Sequence, residues 1–84
     1  TAYTILNGEY EVIEAEIIET SELINKELKE TNLPEEIRIG AILRGKDIII
    51  PRSDFIFQKD DTVVFLAKND QIQIVENMFR ISAI

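Results

Sequence analysis

The chain of 84 residues is 45% hydrophobic, lacks Cys and His, and carries a net charge of −7 from nine Lys and Arg against sixteen Asp and Glu. This composition excludes disulfides and thiolate metal sites and removes the commonest general base. It also disfavours binding to nucleic acid, because an acidic surface repels phosphates. No apolar run approaches the roughly 20 residues that a membrane-spanning helix needs. We therefore expect one folded cytoplasmic domain, excised from a longer chain.

The first predicted elements are a connecting segment and a strand. Residues 1–10 are interpreted as an incoming linker or the end of a helix, with Gly8 suited to a helix C-cap. Residues 11–19 alternate in polarity, which predicts a strand with one face in water. Its apolar face holds Ile13, Ala15 and Ile17.

A short helix and a hairpin are predicted next. Residues 25–31 indicate a helix that ends before Pro34, because the residue preceding a proline is pushed out of the helical region. Residues 37–43 alternate again and predict a strand with Ile37, Ile39, Ala41 and Leu43 on one face. A tight turn at 44–47 then leads into a second strand that ends at Pro51.

The remaining chain predicts a buried strand and a final helix. Residues 63–67 form the strand, and the helix that follows Asn69-Asp70 places Ile72, Val75, Met78 and Phe79 on one face. The order of elements predicts an α+β domain in which two helices lie on one face of a small mixed or antiparallel sheet.

Acidic pairs are the first candidates for chemistry. Glu14 and Glu16 share a strand face, but nothing in the sequence supplies the apolar pocket that an acid/base pair requires. Asp60-Asp61 offers oxygen ligands for a hard cation, although adjacent acids in a turn more often form the turn itself. We expect no catalytic site, no metal site and no enzyme activity.

Three arginines, Arg38, Arg44 and Arg52, surround the predicted hairpin. A guanidinium group suits phosphate and carboxylate, so these residues are candidates for holding an anionic ligand. The alternative is that they form salt bridges with neighbouring Glu residues.

Consecutive isoleucines in the second hairpin strand indicate a second apolar face. Ile48, Ile49 and Ile50 cannot all face one core, because side chains alternate along a strand. A domain of this size has a single core, so the surplus favours a homodimer interface at these three residues. The alternative is that loops or the N-terminal segment cover them.

The stretch NLPEEIRIGAILRG, residues 32–45, is the most specific part of a wider resemblance. Together with EVIEAEIIETS, QKDDTVVFLAKND and IQIVENMFRIS, it resembles the TrkA C-terminal domain, also called the RCK C-terminal domain, over residues 11–82. Three turns depart from the family pattern. Asn25-Lys26 stands where Gly-Lys is usual, Ser53-Asp54-Phe55 where Gly-Asp-Thr is frequent, and Asp60-Asp61 where Gly-Asp is usual.

The resemblance implies a cytosolic regulatory and dimerisation module of a Trk-type potassium-uptake system, peripheral to the inner face of the cell membrane. In such proteins the domain follows a nucleotide-binding Rossmann domain and has no cofactor of its own. The full-length protein docks on a membrane potassium transporter subunit. The ending VENMFRIS is similar to the second of two tandem domains.

The family also implies a ligand site. Some relatives bind a small nucleotide effector, notably cyclic di-AMP, in the cleft between paired domains. By motif position that site involves Leu23, Ile24, Pro51 and Ser53, and Arg38 is added for its guanidinium. The alternative function is a purely structural interaction domain appended to another cation transporter or antiporter.

Overall fold

Six strands and one α-helix form the regular structure of residues 2–79 and 81–83, which are those that the computed structural model describes. One-turn 3₁₀ segments occur at Leu6–Gly8, Leu28–Glu30 and Asn69–Gln71. The helix is α1, Ile72–Phe79. The strands are β1 (Ala2–Ile5), β2 (Tyr10–Ile17), β3 (Ile37–Arg44), β4 (Asp47–Ile49), β5 (Thr62–Lys68) and β6 (Ile81–Ala83).

All strand pairs in the sheet are antiparallel, in the order β1-β2-β5-β3-β4, with β6 also paired to β2. This arrangement confirms a small α+β domain with an antiparallel sheet. The second predicted helix is not found in the part of the chain that the structure describes. None of the helices in that part is long and apolar enough to cross a membrane.

The prediction of a helix over residues 25–31 was wrong. Asn25 has a φ of 67°, a left-handed conformation that no α-helix continues through. The amides of Asn25, Leu28 and Lys29 donate to carbonyls of residues 57, 55 and 53, instead of to carbonyls one turn back. Only the 3₁₀ turn at Leu28–Glu30 remains. The segment behaves as an irregular partner of residues 53–57.

The N-terminal segment adds a strand to the sheet. From the sequence, residues 1–10 were expected to be either a linker or the end of a helix. Instead, residues 2–5 form β1 and pair with residues 10–13 of β2. Gly8, with a φ of 88°, lies in the reversal between β1 and β2 and does not cap a helix. The final helix ends at Phe79, and residues 81–83 pair with residues 15–17 of β2.

A bulge in β3 changes which side chains face the core. Ile39 lies opposite Phe65 and Ala41 lies opposite Val64, so Gly40 has no partner on β5. One extra residue reverses the alternation that follows it. Ile37, Ile39 and Ile42 therefore share the core face, and the prediction that Ala41 and Leu43 join them was wrong.

One face of the sheet carries the hydrophobic core, and α1 covers part of it. Ala15 and Ile17 of β2 lie there as predicted, and Val75 of α1 is buried among them. The side chains of Met78 and Phe79 lie outside the described residues. The other buried apolar residues are Leu23, Ile37, Ile42, Phe57, Val63, Phe65 and Ala67.

The opposite face of the sheet, here called the outer face, has no described element over it. On its four strands β2, β5, β3 and β4, its side chains are all half-buried or exposed. By strand register they are Tyr10, Val12, Glu14 and Glu16 on β2, Thr62, Val64, Leu66 and Lys68 on β5, Arg38, Ala41 and Leu43 on β3, and Ile48 on β4.

Candidate functional site

The predicted self-pairing residues lie on the edge strand β4 and directly after it, with Ile50 following the last strand residue. This strand bonds to β3 through residues 47–49 and has no described neighbour on its other side. Ile48 and Ile50 are each 73% exposed, whereas Ile49 packs against the core. The two exposed isoleucines therefore form an uncovered aliphatic rim beside open backbone hydrogen-bonding groups, which is a surface suited to association.

The predicted ligand residues on two loops are held next to each other by backbone hydrogen bonds. The amide of Asn25 donates to the carbonyl of Phe57 at 2.9 Å, and the amide of Lys29 donates to the carbonyl of Ser53 at 2.9 Å. These bonds bring the segment after Leu23-Ile24 against the segment after Pro51.

The side chains on these loops differ in exposure. Leu23 is fully buried in the core, so its side chain is closed to a ligand of the single chain. Ile24 packs against the core while remaining half-buried, and Pro51 is also half-buried. Ser53 is exposed. A ligand approaching from outside would meet Ser53, Pro51 and Ile24 before Leu23.

Arg38 lines a shallow groove of about 310 Å³ together with residues between 28 and 33. Its Nη1 donates to the carbonyls of Ile37 at 2.9 Å and of Pro34 at 3.4 Å, which holds the guanidinium near the groove wall. Among the other lining residues are Leu28, Lys29, Thr31, Leu33 and Ile39.

The predicted ligand set is thus only partly brought together. Ser53 contacts Lys29 through a backbone hydrogen bond, and Lys29 lines the groove together with Arg38. Leu23 belongs to the core instead. Lys29 is a cation at this site that the sequence did not single out, because its approach to Arg38 depends on the fold of residues 28–33.

The shortest ion pair among the described residues joins Arg44 to Asp61. Its Nε donates to Oδ1 of Asp61 at 2.7 Å and its Nη2 donates to Oδ2 at 2.8 Å, while Asp61 is 1% exposed. Nη2 also donates to the carbonyl of Ile56 at 3.0 Å, and the guanidinium lies 4.9 Å from the centre of the Phe55 ring. The hydrogen bond to Asp61 raises the pKa of Arg44, partial burial opposes this rise, and the Asp61 charge adds to it.

For Arg44 the sequence left open whether it holds an anionic ligand or forms a salt bridge, and it forms a salt bridge. For Asp61 the sequence left open a cation site or a structural role. Its role is structural, since its Oδ2 also accepts from the amide of Gln58 at 2.9 Å. The partner of Arg44 is an aspartate 17 residues away rather than a neighbouring Glu. No group of three His, Cys, Asp or Glu able to hold a metal occurs in residues 2–79 and 81–83.

Comparison with known proteins supplies a family. A family model described as the TrkA-C domain matches residues 12–80. The chain is 39% identical over 80 residues to the Trk system potassium uptake protein TrkA of Azorhizobium caulinodans, covering 95% of this chain. It is 38% identical over 64 residues, or 76% of this chain, to a TrkA homolog of Archaeoglobus fulgidus. It is 35% identical over 80 residues, again 95% of this chain, to TrkA homolog 1 of Methanosarcina mazei.

These relatives are much longer proteins. The chain spans 18%, 15% and 18% of the length of the Azorhizobium, Archaeoglobus and Methanosarcina proteins, respectively. The similarity therefore concerns one domain of each relative.

Proposed function

Because the chain belongs to the TrkA-C domain family, we propose that it acts as the regulatory, self-pairing domain of a Trk-type potassium-uptake protein. The observation that carries the proposal is the aliphatic rim on β4, where Ile48 and Ile50 are both 73% exposed. Exposed apolar groups of this size on an open edge strand favour a covering partner, and a second copy is the simplest one.

The proposed domain performs no chemistry and acts through differential binding. An effector or partner that binds one arrangement of the paired domains more tightly than another shifts the population toward that arrangement. A ligand with equal affinity for both arrangements would change nothing. Four backbone hydrogen bonds join residues 25–29 to residues 53–57, so a ligand that contacts either segment would act on both.

The wider assignment rests on the relatives. Their names place them in potassium uptake systems, and each is several times as long as this chain. We extend this role to the present domain within a full-length cytosolic protein that docks on a membrane potassium transporter subunit. A nucleotide-binding domain elsewhere in that protein would supply the cofactor chemistry.

Self-pairing is tested by replacing an exposed isoleucine. We expect sedimentation velocity to show a dimer of the 84-residue chain at micromolar concentration. Ile50→Asp should weaken that dimer at least about tenfold, because a charge would be buried at the rim. Ile74→Asp is the matched control, since Ile74 is 41% exposed on α1, away from β4. A wild-type chain that remains monomeric at every concentration would overturn the proposal.

Ligand sensing is tested by calorimetry with cyclic di-AMP and with adenine nucleotides. We expect an anionic ligand to bind where Lys29 and Arg38 line the groove and Ser53 adjoins it. Lys29→Ala should then lower the affinity by about tenfold, consistent with the loss of one charge-assisted hydrogen bond. Lys46→Ala, at an exposed lysine of the turn between β3 and β4 and outside the groove lining, is the control.

The scaffold alternative makes the opposite prediction for the same titration. If none of these nucleotides binds while the dimer persists, the sensing role is contradicted. The domain would then hold subunits together without reading a ligand.

A further inference from the structure

The outer face carries a continuous aliphatic stripe across four strands. Val12 lies opposite Leu66, Val64 lies opposite Ala41, and Leu43 lies opposite Ile48. Leu66 and Val64 are neighbours on one face of β5, as Ala41 and Leu43 are on β3. The stripe therefore runs unbroken from β2 to the rim on β4. Leu66 is 38% exposed although it sits in the central strand.

Charges of opposite sign lie on the two sides of this stripe. Glu14 and Glu16 of β2 flank it on one side, since Glu14 is opposite Val64 and Glu16 is opposite Thr62. Arg38 of β3 lies on the other side, opposite Leu66. Within the part of the chain that the structure describes, none of these three residues forms a salt bridge.

We propose that the outer face packs against the same face of a second copy, with the twofold axis running along the aliphatic stripe. This inference rests on the self-pairing proposed above and specifies its surface. Rotation by 180° about an axis in the interface exchanges the two sides of the stripe. Glu14 and Glu16 of one copy then face Arg38 of the other, and the exchange occurs twice because the interface is isologous.

Charge complementarity selects this occupant. A second copy supplies a guanidinium opposite each acidic pair and a carboxylate pair opposite each guanidinium. Desolvating these charges without partners would be costly, whereas paired charges around an apolar centre give the usual arrangement of a polar rim and a hydrophobic middle. The stripe supplies that middle.

The direction of the stripe also fixes how the two sheets cross. From Val12 to Ile48 it spans three strand spacings, about 14 Å, and four residue steps, about 13 Å. It therefore runs at about 45° to the strands, and a twofold axis along it rotates one sheet by about 90° relative to the other. The predicted packing is of the orthogonal class, with the two sheets about 10 Å apart.

The centre of the stripe is tested first. Leu66→Asp should weaken self-association at least about tenfold in sedimentation velocity, because the carboxylate would be buried against its own symmetry mate. Ile74→Asp on α1, with nearly the same exposure in the wild type, should leave association unchanged. Far-UV circular dichroism and a urea unfolding curve establish that both variants are folded before they are compared.

The charge pairing is tested by exchange. Arg38→Glu alone, and Glu14→Lys combined with Glu16→Lys, should each weaken the homodimer, because like charges then meet on both sides. An equimolar mixture should recover association as a heterodimer, since the introduced glutamate of one chain would face the two introduced lysines of the other. Native mass spectrometry separates heterodimer from homodimer by mass.

Three results would overturn the inference. If Ile50→Asp abolishes pairing while Leu66→Asp and Arg38→Glu do not, pairing uses the β4 edge, and the proposed function survives without this interface. If the mixed variants form no heterodimer, the twofold register is wrong. If the wild-type chain never associates, self-pairing itself fails, and with it both proposals.

Discussion

At the scale of single residues, Arg44 and Asp61 join the irregular part of the chain to the sheet. Asp61 accepts from the guanidinium and from the amide of Gln58, and Arg44 also reaches the carbonyl of Ile56 and the ring of Phe55. Phe55 in turn meets Phe57 edge to face, with ring centres 5.3 Å apart. One ion pair thus fastens the segment 55–61 to the end of β3.

Asp61→Asn is expected to lower the free energy of unfolding by about 2 kcal/mol. The substitution removes the charge from two charge-assisted hydrogen bonds, although the one-third exposure of the Arg44 side chain lets water screen part of the loss. Urea unfolding followed by circular dichroism measures the change.

The neighbouring aspartate provides the control for this prediction. Asp60 is exposed and has a φ of 72°, a conformation that asparagine also tolerates. Asp60→Asn should therefore change the stability by less than about 0.5 kcal/mol. Equal losses in the two variants would show that the ion pair contributes nothing particular.

The rise in the pKa of Arg44 has no consequence near neutral pH. A group whose pKa is higher in the folded state stabilises the fold fully below its unfolded pKa, and this contribution is lost only as the pH rises through the folded value. Both values for an arginine lie far above neutrality. This residue therefore leaves stability independent of pH across the physiological range.

At the scale of elements, periodicity predicted those parts whose side chains face one core. The alternation of residues 11–19 predicted β2, and the apolar run 63–67 predicted β5 with its buried Val63, Phe65 and Ala67. Asn25 adopts the left-handed conformation that the usual glycine would supply, so the turn survives this departure from the family pattern. The pattern failed where distant backbone groups compete for hydrogen bonds, as in residues 25–31.

The bulge at Gly40 was also beyond a local pattern. The alternation from Ile37 to Leu43 is equally consistent with a regular strand. Only the pairing with β5 shows that Gly40 has no partner residue there. Its function in the fold is to return Ile42 to the core face, where it is fully buried. An extra residue of this kind is set by the partner strand and not by the strand's own sequence.

Deleting Gly40 should therefore leave the register intact and change the free energy of unfolding by no more than about 1 kcal/mol. Without the extra residue, Ile39 and Ala41 become consecutive in a regular strand, and Ile37, Ile39 and Ile42 still alternate onto the core face. Thermal and urea unfolding of the purified variant measure the change.

Gly40→Ala is the matched control for the deletion. The added Cβ would lie 3.8 Å from the carbonyl oxygen of Val64, an ordinary contact. The change should stay within about 1 kcal/mol of the wild type. A deletion that costs several kcal/mol more than this substitution would show that the fold depends on the bulge itself.

At the scale of the whole molecule, composition predicted an apolar surplus but not its location. The triplet Ile48-Ile49-Ile50 indicated a second apolar face, and two of its three side chains are exposed as that reasoning required. The aliphatic stripe on the outer face could not be predicted from the sequence, because its residues come from four strands and become neighbours only through the strand register. The residues of the ligand site were named by motif position, which carries no information on the burial of Leu23.

Self-pairing should make the stability of the chain depend on its concentration. Because only the folded form associates, each tenfold rise in chain concentration adds about 1.4 kcal/mol per dimer to the apparent free energy of unfolding. We expect the thermal midpoint to rise with concentration in the wild type and to become constant in Leu66→Asp. A constant midpoint in the wild type would contradict association under those conditions.

The shared edge of β2 has a consequence for engineering. β6 ends at Ala83, opposite Ala15 of β2. β1 begins at Ala2, opposite Ile13, and runs in the same direction as β6. Ala83 and Ala2 are therefore about 7 Å apart along the same edge of β2. Three peptide units reach about 10 Å, so ligating Ile84 directly to Thr1 closes the backbone into a ring without an added spacer. Such a circle can be reopened at Gly45-Lys46, giving a permuted chain in which β6 and β1 follow each other along one edge of β2.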